Sequence, residues 1–338
     1  MKQARDTGKW VTTEDPLMSD PIRAFLPPIG RGPRPAGADR PNSGLSSPSG
    51  GKLPHPAAGQ SLWSTFWQDF CLENEVHERC HVPGDGRPAV DRHWARFANN
   101  LPGRAQVIDL GCGAGIVGRI LLNRRADLRV TGVDWADVPA MNLANVTVHP
   151  GISMEDLPFG DGCFDAAVSL FGIEYGNMEK TARELERVLK AGARFSFLVH
   201  HRESEVSREG TMRRRALREL LAGKMKAAFL AGNATGIDQQ RRSLAKQFPA
   251  EPMIDIVSDY FLRNITSARA ERQAMWHNLA IGLDPEIALL LLLERAAKSA
   301  AEMASWLASL LSAMTLVSVS VLRRSSGEPI AWNVSGIR

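Results

Sequence analysis

The stretch Val107-Ile108-Asp109-Leu110-Gly111-Cys112-Gly113-Ala114-Gly115 decides the fold of this chain. It begins as an apolar run of strand length and ends in a turn of small residues, after which residues 116–124 show helical periodicity. Glycines are needed in such a turn when a nucleotide lies against bare backbone, because a Cβ would be in its way. The sequence therefore predicts a strand, a nucleotide-binding loop and a helix in succession.

A second predicted strand ends in Gly132-Val133-Asp134-Trp135, which places Asp134 nineteen residues after Gly115. A carboxylate at the tip of this strand can accept hydrogen bonds from both hydroxyls of a ribose. We therefore expect Asp134 to bind the nucleoside part of the ligand.

Glycine spacing alone does not choose between two kinds of nucleotide. Gly113, Gly115 and Gly118 also satisfy the dinucleotide pattern G-x-G-x-x-G. Asp109, however, would place a carboxylate close to a pyrophosphate, which is electrostatically unfavourable. The ammonium and sulfonium groups of S-adenosyl-L-methionine would be attracted by the same charge. The sequence favours this methyl donor over NAD.

An alternation of strands and helices follows the loop and predicts a parallel sheet wrapped by helices. The predicted strands are residues 106–110, 128–134, 146–149, 164–170 and 194–200, and the helices are residues 116–124, 138–144 and 178–189. Residues 315–323 and 330–334 read as a closing β-hairpin around the turn Ser325-Ser326-Gly327-Glu328.

The rest of the chain divides by composition. Residues 1–58 hold half of the 20 prolines and are expected to be a disordered extension. Residues 59–100 predict two helices, one starting at Ser61 with Ser61 or Ser64 as its cap, and one at 90–99. Residues 101–200 form the expected nucleotide-binding core, 201–312 a helical insertion, and 313–338 the hairpin. Within the insertion we expect a basic amphipathic segment at 208–229 and an apolar helix at 285–314.

Residues 85–200 resemble the class I S-adenosylmethionine-dependent methyltransferases, particularly the ubiquinone and menaquinone biosynthesis branch. Beyond the loop, the similarity runs through Ser153–Phe159, Phe164–Ser169 and Glu184–Gly192, and the closing hairpin fits the end of that fold. The resemblance implies a doubly wound, seven-stranded, mostly parallel sheet, with N-terminal helices that help to close a substrate lid and an insertion that recognises the acceptor.

The same resemblance implies a set of residues that bind S-adenosyl-L-methionine. They are Asp109, Gly111, Cys112, Gly113, Gly115, Asp134, Trp135, Ser153, Met154, Ser169 and Leu170. The chain has Ser153 where family members usually carry an acidic residue, so adenine recognition is expected to use the Met154 backbone and the Ser153 hydroxyl. Trp135 is either a wall beside the adenine or a buried packing residue.

The acceptor is expected beyond the carboxyl ends of the strands, where open α/β sheets bind ligands. His200 and His201 end the fifth strand and are the candidate general bases, because imidazole titrates near neutral pH. Neighbouring residues of a strand point to opposite faces, so at most one of them faces the acceptor. Glu174 and Tyr175 are the candidate substrate-binding residues; the competing interpretation gives them an ordinary loop role.

Three other groups have simpler interpretations. The cluster Cys71, His77, Cys80 and His81 lacks the usual spacing of zinc ligands, so no metal is expected. The aromatic stripe Trp63, Phe66, Trp67 and Phe70 is interpreted mainly as core. The segment Arg213–Arg218, with Lys224 and Lys226, is expected to form a solvated basic helix with at most weak contact to an anionic surface.

Composition places the chain among ordinary globular proteins. Its net charge of +4 is well short of that of a dedicated nucleic-acid binder, and its four cysteines are scattered. No apolar run approaches the ~20 residues that span a bilayer. We expect a cytoplasmic enzyme that methylates a small apolar or aromatic metabolite and forms no stable nucleic-acid complex.

Three competing functions stay open. One is a methyltransferase acting on RNA or protein, which would need an open basic cleft. Another is a NAD(P)-dependent oxidoreductase; a Tyr-x-x-x-Lys pair would favour it, but Lys180 lies one position too far from Tyr175. The last is a non-catalytic module that binds the cofactor. The sequence identifies neither the acceptor nor the oligomeric state.

Overall fold

The computed structural model describes residues 56–72, 86–138 and 144–338, with only the backbone described at 56–58 and 69–72. Residues 1–55 of the expected extension and most of the helix predicted at 138–144 lie outside these ranges. None of the helices within the described ranges has both the length and the apolar character that crossing a membrane requires.

A single seven-stranded sheet forms the centre of the fold, in the order β3-β2-β1-β4-β5-β7-β6. Strands β1 to β5 pair in parallel, whereas β7 is antiparallel to both β5 and β6. The strands are β1 (Gln106–Leu110), β2 (Arg129–Asp134), β3 (Val146–Pro150), β4 (Phe164–Leu170), β5 (Leu189–His200), β6 (Leu316–Arg323) and β7 (Pro329–Ile337). The predicted doubly wound, mostly parallel sheet and its closing hairpin are confirmed.

Helices cover the sheet and fill the interval between β5 and β6. Those before or between the parallel strands are α1 (Pro56–Leu72), α2 (Arg87–Asn99), α3 (Ile116–Arg124) and α4 (Met178–Val188). Those of the insertion are α5 (Glu205–Leu221), α6 (Gly223–Leu230), α7 (Ala234–Gln247), α8 (Met253–Arg263), α9 (Arg269–Ala296) and α10 (Ala300–Ala313).

Alternation along β5 separates the two cores of the sheet. Phe197 and Val199 contribute to the cluster covered by α4 and α10, whereas Leu198 contributes to the cluster on the opposite face, with Trp94 of α2. The insertion has an apolar cluster of its own, in which Phe229 stacks on Phe261 with ring centroids 4.0 Å apart. The insertion is therefore a second packed layer beside the sheet.

The prediction of one apolar helix over residues 285–314 is wrong. Helix α9 runs through Pro285 and ends at Ala296, and α10 starts afresh at Ala300. Ser299 caps α10 by accepting a hydrogen bond from the Glu302 N–H, and the Glu302 side chain accepts one from the Ser299 N–H in return. This reciprocal cap separates two helices that the apolar composition had merged.

The predicted basic helix is also wrong in part. It divides at Ala222 into α5 and α6, so Lys224 and Lys226 belong to another helix. Arg213 pairs with Glu251 and Glu286, and Arg214 pairs with Glu294. These two arginines face the neighbouring helices of the insertion, and only part of the segment Arg213–Arg218 remains on the surface.

The first helix begins earlier than predicted. Helix α1 starts at Pro56, a residue whose fixed φ suits the first turn of a helix. Ser61 and Ser64 are therefore internal residues and not caps, and the Ser64 hydroxyl donates to the Gln60 carbonyl at 2.8 Å.

Candidate active site

The glycine-rich loop lies between the ends of β1 and β4, where the strand order reverses direction. Gly111, Gly113 and Gly115 have φ angles of +63°, +48° and +67°, a region that favours glycine. A Cβ on Gly111 would lie 2.8 Å from the Cα of Gly172, in the turn after β4. The loop and that turn are therefore in direct backbone contact.

Asp109 is a buried carboxylate beneath this loop. Its side chain is 1% exposed, and neither oxygen accepts a well-formed hydrogen bond. Burial raises its pKa well above the usual value, the charge of Asp134 raises it further, and the backbone N–H of Gly118 opposes these two effects without cancelling them. An unpartnered buried acid of this kind would be stabilised by a cationic group.

Asp134 ties the loop to the end of β2. Its Oδ2 accepts the Gly113 N–H, and its Oδ1 accepts the Ala136 N–H, both at 2.8 Å. Burial raises the Asp134 pKa, and these two backbone donors oppose that effect. The carboxylate predicted to bind ribose therefore also fixes the conformation of the loop.

The residues predicted to border the adenine lie near Asp134: Trp135 follows it directly, and Ile152, next to Ser153, donates its N–H to the Asp134 carbonyl at 2.9 Å. Trp135 is 36% exposed, which excludes the alternative of a fully buried packing residue. The Ser153 hydroxyl accepts the Glu155 N–H at 3.1 Å within its own turn. Met154 packs partly buried against the core cluster that contains Leu157.

Three other residues predicted to bind the cofactor lie in the loop or at the end of β4. The Ser169 hydroxyl donates to the Leu110 carbonyl at 2.7 Å and accepts the Ile173 N–H at 2.9 Å, so it is fully used within the fold. Leu170 is half-buried at the end of β4. Cys112 is buried, and burial raises its pKa well above the usual value.

Glu174 and His200 form a buried pair at the ends of β4 and β5. Oxygen Oε1 of Glu174 accepts both the backbone N–H and the Nδ1–H of His200, each at 2.8 Å. Because a carboxylate only accepts, Nδ1 carries the proton and Nε2 is the nitrogen left to act as a base. The other carboxylate oxygen, Oε2, is buried without a partner.

Aromatic rings surround this pair. Phe171 stacks on His200 with centroids 4.1 Å apart and has the unusual φ of +56° for a residue other than glycine. Tyr175 meets His200 edge-on at 6.1 Å. Burial and the charge of Glu174 raise the pKa of Tyr175 well above its usual value, so its hydroxyl stays protonated at neutral pH.

His201 has different neighbours. It stacks on Trp332 of β7 at 4.5 Å, and its Nδ1 accepts the Glu203 N–H at 3.0 Å. Burial lowers its pKa. Of the two candidate bases, only His200 therefore lies beside Glu174 and Tyr175, the two candidate substrate-binding residues.

Sequence reasoning missed two contributors to this region. Trp63 of α1 meets Tyr175 at 5.1 Å, although its aromatic stripe had been interpreted mainly as core. Lys298 of the α9–α10 connector donates its N–H to the His200 carbonyl at 2.9 Å. The histidine and cysteine cluster of residues 71–81 lies outside the side chains that the structure describes.

Comparison with known proteins agrees with this geometry. A family model described as "Methyltransferase domain" matches residues 108–197, which contain the loop, Asp134 and Glu174. Residues 108–197 are thus similar to a methyltransferase domain, and they hold the strands and the glycine loop on which the resemblance to the class I methyltransferases, which use S-adenosyl-L-methionine, rests.

Curated proteins with similar sequences include methyltransferases of quinone biosynthesis. The ubiquinone/menaquinone biosynthesis C-methyltransferase of Geobacter sp. (strain M21) is 35% identical over 32% of this chain and 52% of its own length. The demethylmenaquinone methyltransferase of Thermus thermophilus is 32% identical over 32% of this chain and 54% of its own. The chain spans about half the length of these curated relatives.

A solved structure was also matched. The Burkholderia thailandensis 1,6-didemethyltoxoflavin-N1-methyltransferase is 20% identical to this chain, with a TM-score of 0.34, over 46% of this chain and 68% of its own.

The described residues fit the cofactor. Asp109 supplies an unpartnered buried carboxylate for a cationic group, and Asp134 supplies a second acid at the end of β2. The loop glycines carry no side chain, and the backbone of Gly113 is covered by the Trp67 indole of α1.

Proposed function

We propose that this protein transfers a methyl group from S-adenosyl-L-methionine to a small apolar or aromatic metabolite, and that His200 removes a proton from the acceptor. One observation carries the proposal: the glycine loop touches the turn that holds Glu174, which in turn holds His200. A donor site and a base are thereby set side by side at the carboxyl ends of β1, β4 and β5.

The chain's own residues account for donor binding. When bound, S-adenosyl-L-methionine supplies a methyl group on a positively charged sulfur. Asp109 attracts the cationic part of the molecule, Asp134 accepts from the ribose, and Gly113, which carries no side chain, supplies backbone that a ligand can approach closely. Ser169 keeps the loop in place through its two hydrogen bonds.

Glu174 prepares His200 for proton removal. By accepting from Nδ1, the carboxylate fixes the imidazole tautomer and stabilises the imidazolium that forms when Nε2 takes a proton. Phe171 stacks on the ring and limits its rotation. Nε2 would receive the acceptor's proton, and the donor would supply the methyl group and leave as S-adenosylhomocysteine when its methyl–sulfur bond breaks.

The aromatic residues around His200 favour a small, apolar acceptor. Phe171 and Tyr175 lie against His200, and Trp63 packs on Tyr175. Helix α9 contacts both α1 and the Ile173–Tyr175 turn, which supports a lid role for α1 and an acceptor-recognition role for the insertion. The quinone-biosynthesis names of the two relatives support the same substrate class.

An RNA acceptor is less well supported. Arg213 and Arg214 pair with glutamates inside the insertion, and Lys226 lies 3.7 Å from the ring centroid of Trp276. These cations are engaged within the protein, which leaves less of the predicted basic segment for contact with phosphates.

The proposal is tested by following a labelled methyl group. Purified protein and S-adenosyl-L-methionine carrying a labelled methyl are incubated with a cell extract, which is then separated into small molecules, protein and RNA. We expect the label in organic-soluble small molecules. A panel of hydroquinones and phenols, assayed one by one, identifies the preferred acceptor chemistry.

Asp134→Ala serves as the control, because it removes the predicted ribose contact and, at a donor concentration below the dissociation constant, should reduce labelling of every fraction about tenfold or more. Label recovered in RNA or protein instead would contradict the proposed substrate class. Absence of transfer to any fraction, from a preparation that binds the cofactor, would favour the non-catalytic module.

A further inference from the structure

Helix α1 lies directly across the glycine loop. A Cβ on Gly113 would come within 2.1 Å of Cζ2 and 2.4 Å of Cη2 of Trp67, so the indole rests on the bare backbone of Gly113. Trp67 is 8% exposed and belongs to an apolar cluster with Ala114, Ala136 and Val138. This indole is thus buried against the loop and not in either core of the sheet.

Two polar contacts hold the same helix beside Asp134. The Gln60 side chain donates to the Trp135 carbonyl at 2.8 Å, and the Asp137 N–H donates to the Ser64 hydroxyl at 2.9 Å. On the same helix, the Trp63 ring meets the Tyr175 ring edge-on, with centroids 5.1 Å apart. One helix therefore touches the loop, the end of β2 and the turn that carries Glu174.

This placement conflicts with cofactor binding in the proposed function. The left-handed φ of Gly113 and its missing side chain leave a backbone surface suited to close approach by a ligand, and Trp67 covers that surface. Asp109, beneath the same loop, has both carboxylate oxygens buried without partners. The loop thus has features of a ligand site while an aromatic residue of its own chain contacts it.

We propose that Trp67 competes with the methionine nucleotide for the backbone of Gly113, so that donor binding displaces helix α1. The inference rests on the proposed function, because it takes that nucleotide as the ligand of the loop. Since Trp63 and Trp67 belong to one helix, displacement also moves Trp63 relative to Tyr175. Donor binding then remodels the acceptor side of the site.

The proposed competition predicts the direction in which the affinity for the nucleotide changes when the Trp67 indole is removed. When a ligand binds only to the displaced form, its apparent affinity is lowered by the fraction of protein in that form. Removing the indole should therefore strengthen binding. If Trp67 instead stacked on the bound nucleotide, removing it would weaken binding.

The experiment is calorimetric titration of the full chain with S-adenosylhomocysteine, comparing wild type with Trp67→Ala. We expect the variant to bind at least about fivefold more tightly. Thr65→Ala, an exposed position on the same helix, is the matched control and should bind like wild type.

Hydrogen exchange on the wild-type protein gives an independent readout. We expect S-adenosylhomocysteine to speed exchange of the α1 amides while slowing exchange of the loop. Binding to Trp67→Ala that is equal to or weaker than wild type, or slower α1 exchange with ligand, would overturn the proposed competition and leave the methyltransferase assignment standing. Failure of both proteins to bind would overturn the two together.

Discussion

Asp109 shows how a single residue can lower stability for the sake of binding. Its carboxylate is buried without a well-formed hydrogen bond, and its pKa in the folded protein is raised above the unfolded value. A raised acid pKa means that the folded state binds the proton more tightly than the unfolded state. The free energy of unfolding therefore falls as the pH rises above the ordinary carboxyl range.

Asp109→Asn should consequently stabilise the protein in the absence of cofactor at pH 7, because it removes an acid whose ionised form is disfavoured by burial, without changing the side-chain volume. Chemical denaturation across pH measures this, and the advantage over wild type should vanish as the pH falls toward 4. The same variant should bind S-adenosylhomocysteine more weakly.

Asp127→Asn is the control with the opposite sign. The Asp127 pKa is lowered, first through its hydrogen bond to Arg125 and then through the Arg104 N–H. Its stabilising effect is present above the ordinary carboxyl pKa and is lost in acid, so this variant should be less stable than wild type at pH 7. A less stable Asp109→Asn at pH 7 would contradict our account of Asp109.

The two adjacent histidines offer a paired test of the base. His200→Gln should reduce methyl transfer by about a hundredfold or more, as expected for loss of a general base, while leaving S-adenosylhomocysteine affinity nearly unchanged. His201→Gln, at a comparably buried position, should retain most activity. The measurement is the turnover number of each variant. The melting temperatures of the two variants are compared first, to show that both are folded at the assay temperature. Equal losses in both would remove the special role of His200.

At the scale of secondary-structure elements, the contact between the loop and the turn after β4 depends on two glycines. A Cβ on Gly172 would lie 2.7 Å from the Leu110 carbonyl oxygen and 2.9 Å from the Gly111 Cα. Both neighbours are backbone atoms, which cannot rotate away as a side chain can.

Gly172→Ala should therefore destabilise the protein by about 1–3 kcal/mol and weaken S-adenosylhomocysteine binding, because the loop must shift. Gly103→Ala, with nothing within 4 Å of the added carbon, is the control and should change neither quantity. Urea denaturation and calorimetry measure the two effects. A fully stable Gly172→Ala would show that the close approach is not required.

The elements of the sheet could be predicted from local sequence, whereas the contacts of α1 could not. Apolar runs and the glycine loop located β1, α3 and β4 at their observed bounds, because periodicity and turn chemistry are local properties. The contact between Trp67 and Gly113 joins residues far apart in the chain, and the apolar periodicity of α1 does not say which surface it covers.

The insertion gives one further example of this limit and one exception to it. The pairing of Arg213 with Glu251 and Glu286 depends on how helices pack, so composition alone gave a solvated face. The break before α10, by contrast, has a local signal in the sequence. Ser299 and Glu302 form the pattern of a capping box.

At the scale of the whole molecule, the sheet and the insertion have separate apolar clusters. Phe261, in the cluster of the insertion, is 1% exposed and stacks on Phe229. Phe261→Ala should lower stability by about 3–5 kcal/mol. Hydrogen exchange should become faster mainly in α5–α9, with β1–β5 nearly unchanged. Equal acceleration throughout would show that the two layers unfold as one unit.

The function proposed for this protein requires that the loop and Asp134 bind a methionine nucleotide. The most direct test is calorimetric titration of purified protein with S-adenosyl-L-methionine, S-adenosylhomocysteine and NADH. We expect both methionine nucleotides to bind and NADH not to bind. Asp134→Ala should weaken their binding about tenfold or more, because it removes ribose hydrogen bonds and loosens the loop. Binding of NADH without either methionine nucleotide would contradict the claim and indicate an oxidoreductase.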